Sequence, residues 1–502
     1  MHNLNWSEDK HLYLIKYPPE IGTKKRHTRL KFIERLKANI IAAINEKTHL
    51  QKDEWSIKED WNQIQVISEE PLIELLTHLP GIKVVAPAKK VNVIAKDDLL
   101  QNAYEHFRPL MQSHLTFAVR ARKTTRKDIS TRKVEKELGT WLNEFSEVNL
   151  DKPDLKFRIE IRGNEAFFYH TRYAGLEGLP VGVEGKALTL MGGGIDSPVA
   201  SWYIYRAGVD QDFLYFDLDG GEIVKEKAYA VADKLRNEYA PGSPGKLVYL
   251  NFLPVIQEIM KVNGSFRNLV LKYCFYKVGE RLARIKKAEA LVTGESLGQV
   301  STQTLKNLRL LDGYTHMLIL RPLSTFMKDE IKSKASEIGT FQYSYTGKEY
   351  CALESKQVET SSTPAKLEKE LQKMDLSVLE KVISERQEHP IGELAQMVSS
   401  PKKQDQPKSE ELLPADHEII DLRTDQEAQE KPVPRAKVIP FQQAWTDFFH
   451  WSPDKSYFLV CGVGSKSKIL ADFMQEQGFS VDHLEGGVKA FYQKTEKSNP
   501  TE

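Results

Sequence analysis

The sequence predicts an α/β protein built of several domains, and three observations lead there. The chain has 502 residues, more than one hydrophobic core normally serves. Short apolar runs alternate with helix-periodic segments along most of its length. A polar, proline-containing stretch over 399–415 sets the last of these segments apart as a linker, and about 16 flexible residues span on the order of 20 to 25 Å.

At 40% hydrophobic and 28% charged residues, the composition is that of a globular chain. Basic and acidic side chains balance at 71 to 70, so only local clusters of charge are informative about partners. No apolar run approaches about 18 residues, and the opening MHNLNWSEDKHLYLIKY lacks the basic-then-apolar layout of a secretory signal. A cytoplasmic protein without membrane attachment is expected. Cys274, Cys351 and Cys461 are too few and too scattered for a disulfide scaffold, and no C-x-x-C pair suggests zinc. No protein metal centre is expected, and any cysteine chemistry is redox or nucleophilic.

Over residues 1–85, HLYLIKY reads as a strand, and Phe32, Ile33, Leu36, Ile40 and Ile44 recur at helical spacing. NQIQVIS is a second strand, EEPLIELLTHL a short helix and GIKVVAP a third strand, an order that fits a small ferredoxin-like unit. Over 86–175, alternation in LTFAVRAR puts Phe117, Val119 and Ala121 on one face and Arg120 and Arg122 on the other. In the following helix, Val134, Leu138, Trp141, Leu142 and Phe145 form the expected buried stripe, leaving Arg132, Lys133 and Lys136 to solvent. Eight basic residues against two acidic ones lie between Arg120 and Lys136, and seven against one between Lys24 and Lys37. Such clusters make a footprint for nucleic-acid phosphates.

Gly-rich YAGLEGLPVGVEGK then opens a region over 176–398. ALTLM, DFLYFDL, KLVYLNF, ALVTG and LILRPL alternate there with helical segments, the signature of a doubly wound parallel sheet. Thr363 and Pro364 read as the cap and first residue of a helix, opening an amphipathic stretch through Glu385. After the linker, over 416–502, HEIIDLR, KVIPF, SYFLVCG and SVDHLEG mark strands of a small α/β domain.

Two loops carry chemistry. In ALTLMGGGIDSPVASW an apolar strand runs into Gly192, Gly193 and Gly194, then into a helix with Pro198 in its first turn. Without Cβ atoms, backbone N–H groups of such a turn can converge on an anion at the helix N-terminus. The loop resembles the pyrophosphate loop of ATP pyrophosphatases, with Gly192 where that pattern has serine. In that resemblance Asp196 orients the Mg2+ and phosphate cluster and Ser197 donates to a phosphate oxygen. In the second loop, Cys461 follows the apolar run YFLV and begins CGVGSKS, ahead of a helix. Gly-bearing backbone there points N–H groups inward and stabilises a persulfide anion.

LVTGESLGQVSTQTLKNL and LILRPLSTFMKDEI, added to the glycine loop, closely resemble the tRNA 4-thiouridine synthetase family, whose members also serve thiazole formation in thiamine biosynthesis. The resemblance covers nearly the whole chain. It implies an N-terminal ferredoxin-like domain, a THUMP RNA-binding domain, an ATP pyrophosphatase domain and a C-terminal rhodanese-like domain. It further implies that Leu190, Met191, Gly193, Gly194, Lys272, Gly294 and Gln303 border ATP, and that Lys328 stabilises charge during adenylation. Cys351 in GKEYCALESK matches the family's second cysteine, and the resemblance implies a redox-active disulfide with Cys461. A cysteine desulfurase is the implied persulfide donor, tRNA the substrate, and the sulfur-carrier protein of thiamine synthesis a further acceptor. Val463 stands where many rhodaneses have a loop arginine, so free thiosulfate should bind weakly. Cys274, in an apolar helical stripe with Leu271 and Val278, reads as core. Two rival readings are sulfur transfer to the carrier protein alone, and an RNA-binding protein with decayed catalytic loops.

Overall fold

The structure, a computed structural model, describes residues 10–60, 63–124, 126–218, 222–300, 302–343, 358–397 and 413–496. They form two compact units. The first holds residues up to Glu184 with the short segments 205–209 and 238–242, and the second the remainder.

The first unit contains two sheets. Strands β1 (His11–Lys16), β2 (Trp55–Asp60), β3 (Gln63–Ser68) and β4 (Ile82–Pro87) pair antiparallel in the order β4-β1-β3-β2. The helix Arg26–Lys47 covers one face with Phe32, Ile33, Leu36, Ile40 and Ile44, all buried as their spacing predicts. The middle of β1, Leu12 to Ile15, is buried because both faces of the strand are covered. Tyr13 and Ile15 meet the helix side, while Leu12 and Leu14 pack with Val84, Ala86, Phe167 and Tyr169. The edge strand β2, WSIKED, alternates too weakly to be read from sequence.

The second sheet has the order β5-β9-β8-β6-β7, from β5 (Lys89–Asn92), β6 (Thr116–Lys123), β7 (Glu147–Val148), β8 (Leu155–Arg162) and β9 (Glu165–Tyr169). Phe117 is buried and Arg120 and Arg122 are exposed, following the predicted alternation. In the helix Thr131–Leu142, Val134, Leu138 and Leu142 are buried. Trp141 departs from the predicted stripe: it is 40% exposed and stands edge-on to Tyr104. Phe145 lies beyond the helix end, under the Arg108 guanidinium. The glycine-rich segment contributes a strand, β10 (Tyr173–Glu177), which returns to the first sheet beside β4.

In the second unit β11 (Lys186–Met191), β12 (Asp210–Asp217), β13 (Lys246–Asn251), β14 (Ala290–Val292) and β15 (Leu318–Leu320) are parallel. β16 (Gln387–Pro390) joins antiparallel, and the order is β15-β14-β11-β12-β13-β16. Strand order reverses between β11 and β14, so the crevice at their C-terminal ends is the switch point where such sheets bind ligands. The helix Arg267–Lys286 buries Leu271, Cys274 and Val278 against this sheet. Thr363 caps the helix Pro364–Leu371 by accepting from the Lys366 N–H, and a break precedes the helix Val378–Ser384. A last sheet, order β18-β17-β19-β20, comprises β17 (Glu418–Asp421), β18 (Lys437–Val438), β19 (Ser456–Val460) and β20 (Ser480–His483), all parallel.

Candidate active site

β11 ends at Met191 and the helix Asp196–Arg206 begins five residues later, with the glycines between. Ser197 turns its hydroxyl inward: Oγ accepts from the Gly192 N–H at 3.0 Å and lies 3.5 Å from the Met191 sulfur. It therefore braces the loop from beneath. Met191 is buried and Leu190 packs on the core, so these side chains form the floor of the strand end. Neither Gly192 nor Gly193 adopts positive φ. Their lack of a side chain serves room instead, since a Cβ on Gly193 would stand 3.0 Å from Val224. A Cβ on Gly192 would meet nothing closer than the Ser197 hydroxyl at 3.9 Å, which leaves space for the serine of the usual pattern.

Gly294 follows β14 and lies directly against the loop. A Cβ there would fall 2.6 Å from the Ser197 nitrogen and 2.7 Å from the Asp196 carbonyl carbon. The switch point is closed by backbone touching backbone. Across it, Lys328 at the start of the helix Lys328–Glu337 places Nζ 2.8 and 3.0 Å from the two Asp196 oxygens. An ion pair this exposed is worth at most about 1 kcal/mol and opens readily. Gln303 closes a turn through its backbone, its carbonyl accepting from the Gly298 N–H.

Lys272 is not a solvated helix lysine. Its ammonium donates to Glu295 at 2.5 Å, and Glu295, 7% exposed, also accepts from the Tyr276 hydroxyl, the Thr293 hydroxyl and Arg321 Nε. Burial works against the Glu295 charge. The Lys272 charge, the Lys272 and Tyr276 hydrogen bonds and the Arg321 charge outweigh it and hold the carboxyl down at about 2. Sequence reading missed Glu295, Tyr276 and Arg321. The signal was a carboxylate directly after a strand-end glycine, in VTGES. Among the described residues no group of three or more His, Cys, Asp or Glu could hold a metal ion.

Cys461 follows β19 and is 2% exposed. Its sulfur receives the Gly464 N–H at 3.2 Å and the Ser467 N–H at 3.4 Å, with the Ser467 hydroxyl at 3.4 Å. Gly464, at φ +96°, caps the helix Ser465–Glu476 and turns these donors onto the sulfur. Beside it Asp421 and Arg423 form a buried pair at 2.6 Å, and Arg423 also donates to the Glu427 and Lys431 carbonyls, which fixes the neighbouring loop. Cys274 is fully buried, and burial pushes its thiol up to about 12. Cys351 lies outside the described residues.

In the first unit Arg120 and Arg122 line a cavity of about 470 Å³ with Lys16, Arg158 and Arg172, three cations that sequence clustering did not single out. Glu160, 2% exposed, organises its floor, accepting from Lys16 at 2.8 Å, from Arg122, from Arg162 at 3.0 Å and from the Tyr169 hydroxyl at 2.5 Å. Arg132, Lys133 and Lys136 are exposed, as predicted, but the helix that carries them lends only Glu135 to this lining.

Comparison with known proteins divides the chain among three families. Residues 182–376 match the model described as Thiamine biosynthesis protein (ThiI), 95–171 the THUMP domain and 401–494 the rhodanese-like domain. The combination defines a transferase that handles sulfur. Over 93% of its length the chain is 33% identical to the tRNA sulfurtransferase of Vibrio parahaemolyticus, covering 98% of that protein, and 32% identical to its counterpart in Yersinia pestis. The chain belongs to the tRNA sulfurtransferase family. The crystal structure of a 4-thiouridine synthetase in complex with RNA and with bound ATP matches with a TM-score of 0.66 at 28% identity, over 76% of this chain and 99% of that one. PH1313 from Pyrococcus horikoshii shares the fold, with a TM-score of 0.51 at 21% identity.

Proposed function

We propose that this enzyme converts a tRNA uridine to 4-thiouridine by ATP-dependent adenylation followed by delivery of persulfide sulfur from Cys461. The uridine O4 attacks the α-phosphorus, pyrophosphate leaves, and O4 departs later as part of AMP. The observation that carries the reading is the Asp196–Lys328 pair spanning the mouth of the glycine loop at the switch point. One cation and one carboxylate there suit a phosphate chain, with Gly193 and Gly194 supplying backbone donors. Gly294, Gln303, Lys272, Leu190 and Met191 border the same crevice in this reading. Ser197 serves it by bracing the loop from within. Mg2+ that arrives with ATP needs few protein ligands, and Asp196 is the carboxylate suited to it.

The terminal persulfide sulfur on Cys461 attacks C4, displaces AMP and leaves a Cys461–S–S–C4 link. The Cys351 thiolate attacks the Cys461 sulfur, releases the thiolated base and leaves a Cys351–Cys461 disulfide. A cellular dithiol returns the two electrons. The Gly464 and Ser467 N–H groups support an anionic sulfur during loading by a cysteine desulfurase. Arg120, Arg122 and the cavity they line hold RNA phosphates, with Arg132, Lys133 and Lys136 as a flanking contact surface. A tRNA substrate implies work in the cytoplasm, and no described helix is long and apolar enough to cross a membrane.

The test supplies the full chain with ATP, unmodified tRNA, a desulfurase and a dithiol. AMP and 4-thiouridine should form in equal amounts, and thiolation without AMP release would exclude adenylation. The thiamine description of the matched family model favours a second acceptor, the sulfur-carrier protein. Neutralising Arg120 and Arg122 should then lower tRNA thiolation while leaving that transfer intact.

A further inference from the structure

Glu295, a buried carboxylate of the second unit with four donors, has no assigned role in the reaction. Glu295 follows Gly294, whose Cα lies against the Asp196–Ser197 peptide, so it is tied to the phosphate loop by one residue of chain. Oε1 accepts from Lys272, while Oε2 accepts from the Tyr276 hydroxyl, Arg321 Nε at 3.0 Å and the Thr293 hydroxyl at 3.2 Å. Arg321 is held from its other side by Asp312, with Nη1 at 3.1 Å and Nη2 at 2.5 Å, and Nη2 donates to the Tyr276 oxygen at 2.8 Å. Lys272 and Tyr276 are one helical turn apart and Gly279 follows on the same face. A Cβ on Gly279 would lie 3.1 Å from Leu291, so the helix is seated close against β14.

We propose that Glu295 is a positioning residue for ATP: it anchors one N–H of Lys272 and the guanidinium of Arg321, so that the remaining Lys272 donors face the nucleotide. An ammonium carries three N–H donors. Among the described residues Lys272 has Glu295 as its partner, and 16% of its side chain is exposed. Arg321 ties the end of β15 to the same carboxylate, so the walls on both sides of β14 share one anchor. Two cations face the two carboxylates of Glu295 and Asp312, and the cluster is balanced before ATP enters. The proposal rests on the reading of Lys272 as a nucleotide contact.

The test measures KM for ATP, kcat and tRNA affinity in tRNA-dependent pyrophosphate release, using the full chain with Glu295→Gln, Lys272→Met and the pair combined. Charge-assisted hydrogen bonds of this kind correspond to roughly tenfold to a hundredfold in an equilibrium constant. Glu295→Gln should raise the ATP KM by about that factor and leave tRNA affinity unchanged, and the double variant should be no worse than Lys272→Met. Additive single effects, or a Glu295→Gln variant with normal ATP KM, would overturn the positioning role. A normal ATP KM in Lys272→Met would instead overturn the nucleotide reading beneath it. If Glu295→Gln does not fold, Tyr276→Phe removes a neutral donor to the same carboxylate. It should raise the ATP KM severalfold, and an unchanged value overturns the proposal.

Discussion

Gly294→Ala is the substitution that puts the geometry of the switch point under most stress. Ordinary van der Waals contact for a Cβ begins near 3.4 Å, and the new methyl group would stand 2.6 Å from the Ser197 nitrogen, 2.7 Å from the Asp196 carbonyl carbon and 3.0 Å from the Asp196 Cβ. The deficit is about 0.8 Å, and two of the atoms met are backbone at the start of a helix. Such a group cannot swing aside as the end of a long side chain can. Overpacking of this size typically costs about 1–3 kcal/mol, which a domain of this size tolerates. The fold should therefore survive while the glycine loop moves by several tenths of an ångström against β14. Misplacement of about 1 Å at a reacting centre lowers rates on the order of a hundredfold. Pyrophosphate release should fall by roughly ten- to a hundredfold, with melting temperature lowered by only a few degrees and tRNA affinity preserved. A Gly294→Ala enzyme that melts like the parent and adenylates at the parental rate would refute the close-approach argument.

Asp196→Ala should abolish AMP formation and leave tRNA binding intact, as a gel-shift titration beside a pyrophosphate assay would reveal. Neutralising Lys16, Arg120, Arg122, Arg158 and Arg172 together should weaken tRNA binding, and each true phosphate contact removed should reduce the log-log salt slope by about 0.7 to 0.9. An unchanged slope would leave that cavity without an RNA role. Turnover without reductant should trap a Cys351–Cys461 disulfide, detectable by peptide mapping. Cys461→Ser should lose all sulfur transfer, Cys351→Ser should stop after one turnover, and Cys274→Ser should keep its rate while losing about 1–3 kcal/mol of stability for a hydroxyl buried in the core. Glu160 and Glu295 sit at about 2 against an ordinary 4.5, both depressed, so the unfolded chain binds more protons between these values. The stability these carboxylates lend is fully present above pH 4.5 and declines as pH falls toward 2. Glu160→Gln should flatten the acid limb of a denaturation profile.

Much of the architecture could be read from local patterns. Phe32 to Ile44 recur at helical spacing because one helix face must be buried, and that face is buried. The apolar runs ALTLM, DFLYFDL, KLVYLNF and ALVTG became parallel strands because a strand covered on both faces carries few polar positions, and LILRPL joined them as an edge strand with Leu318 exposed. The glycine loop and the CGVGSKS loop were legible for a different reason. Each is a strand end, a glycine turn and a helix start within a few residues, so chain connectivity alone brings the donors together. β2 and β16 were not visible, since short edge strands carry little hydrophobic signal and depend on the neighbour that pairs with them.

The sequence by itself determined the classes of chemistry: an anion-binding glycine loop, a thiol at a helix N-terminus and clusters of arginine and lysine. Only the tertiary structure decided which charges meet. Lys328 lies 132 residues from Asp196, Lys272 lies 23 from Glu295, and Lys16 lies 144 from Glu160. No local periodicity encodes such pairings, because the free energy of a charge depends on burial and on neighbours supplied by other strands and helices. A lysine on a helix is solvated or anchored according to whether the chain, once folded, sets a carboxylate within reach. For Lys272 it sets Glu295 there, one residue beyond the glycine that closes the loop.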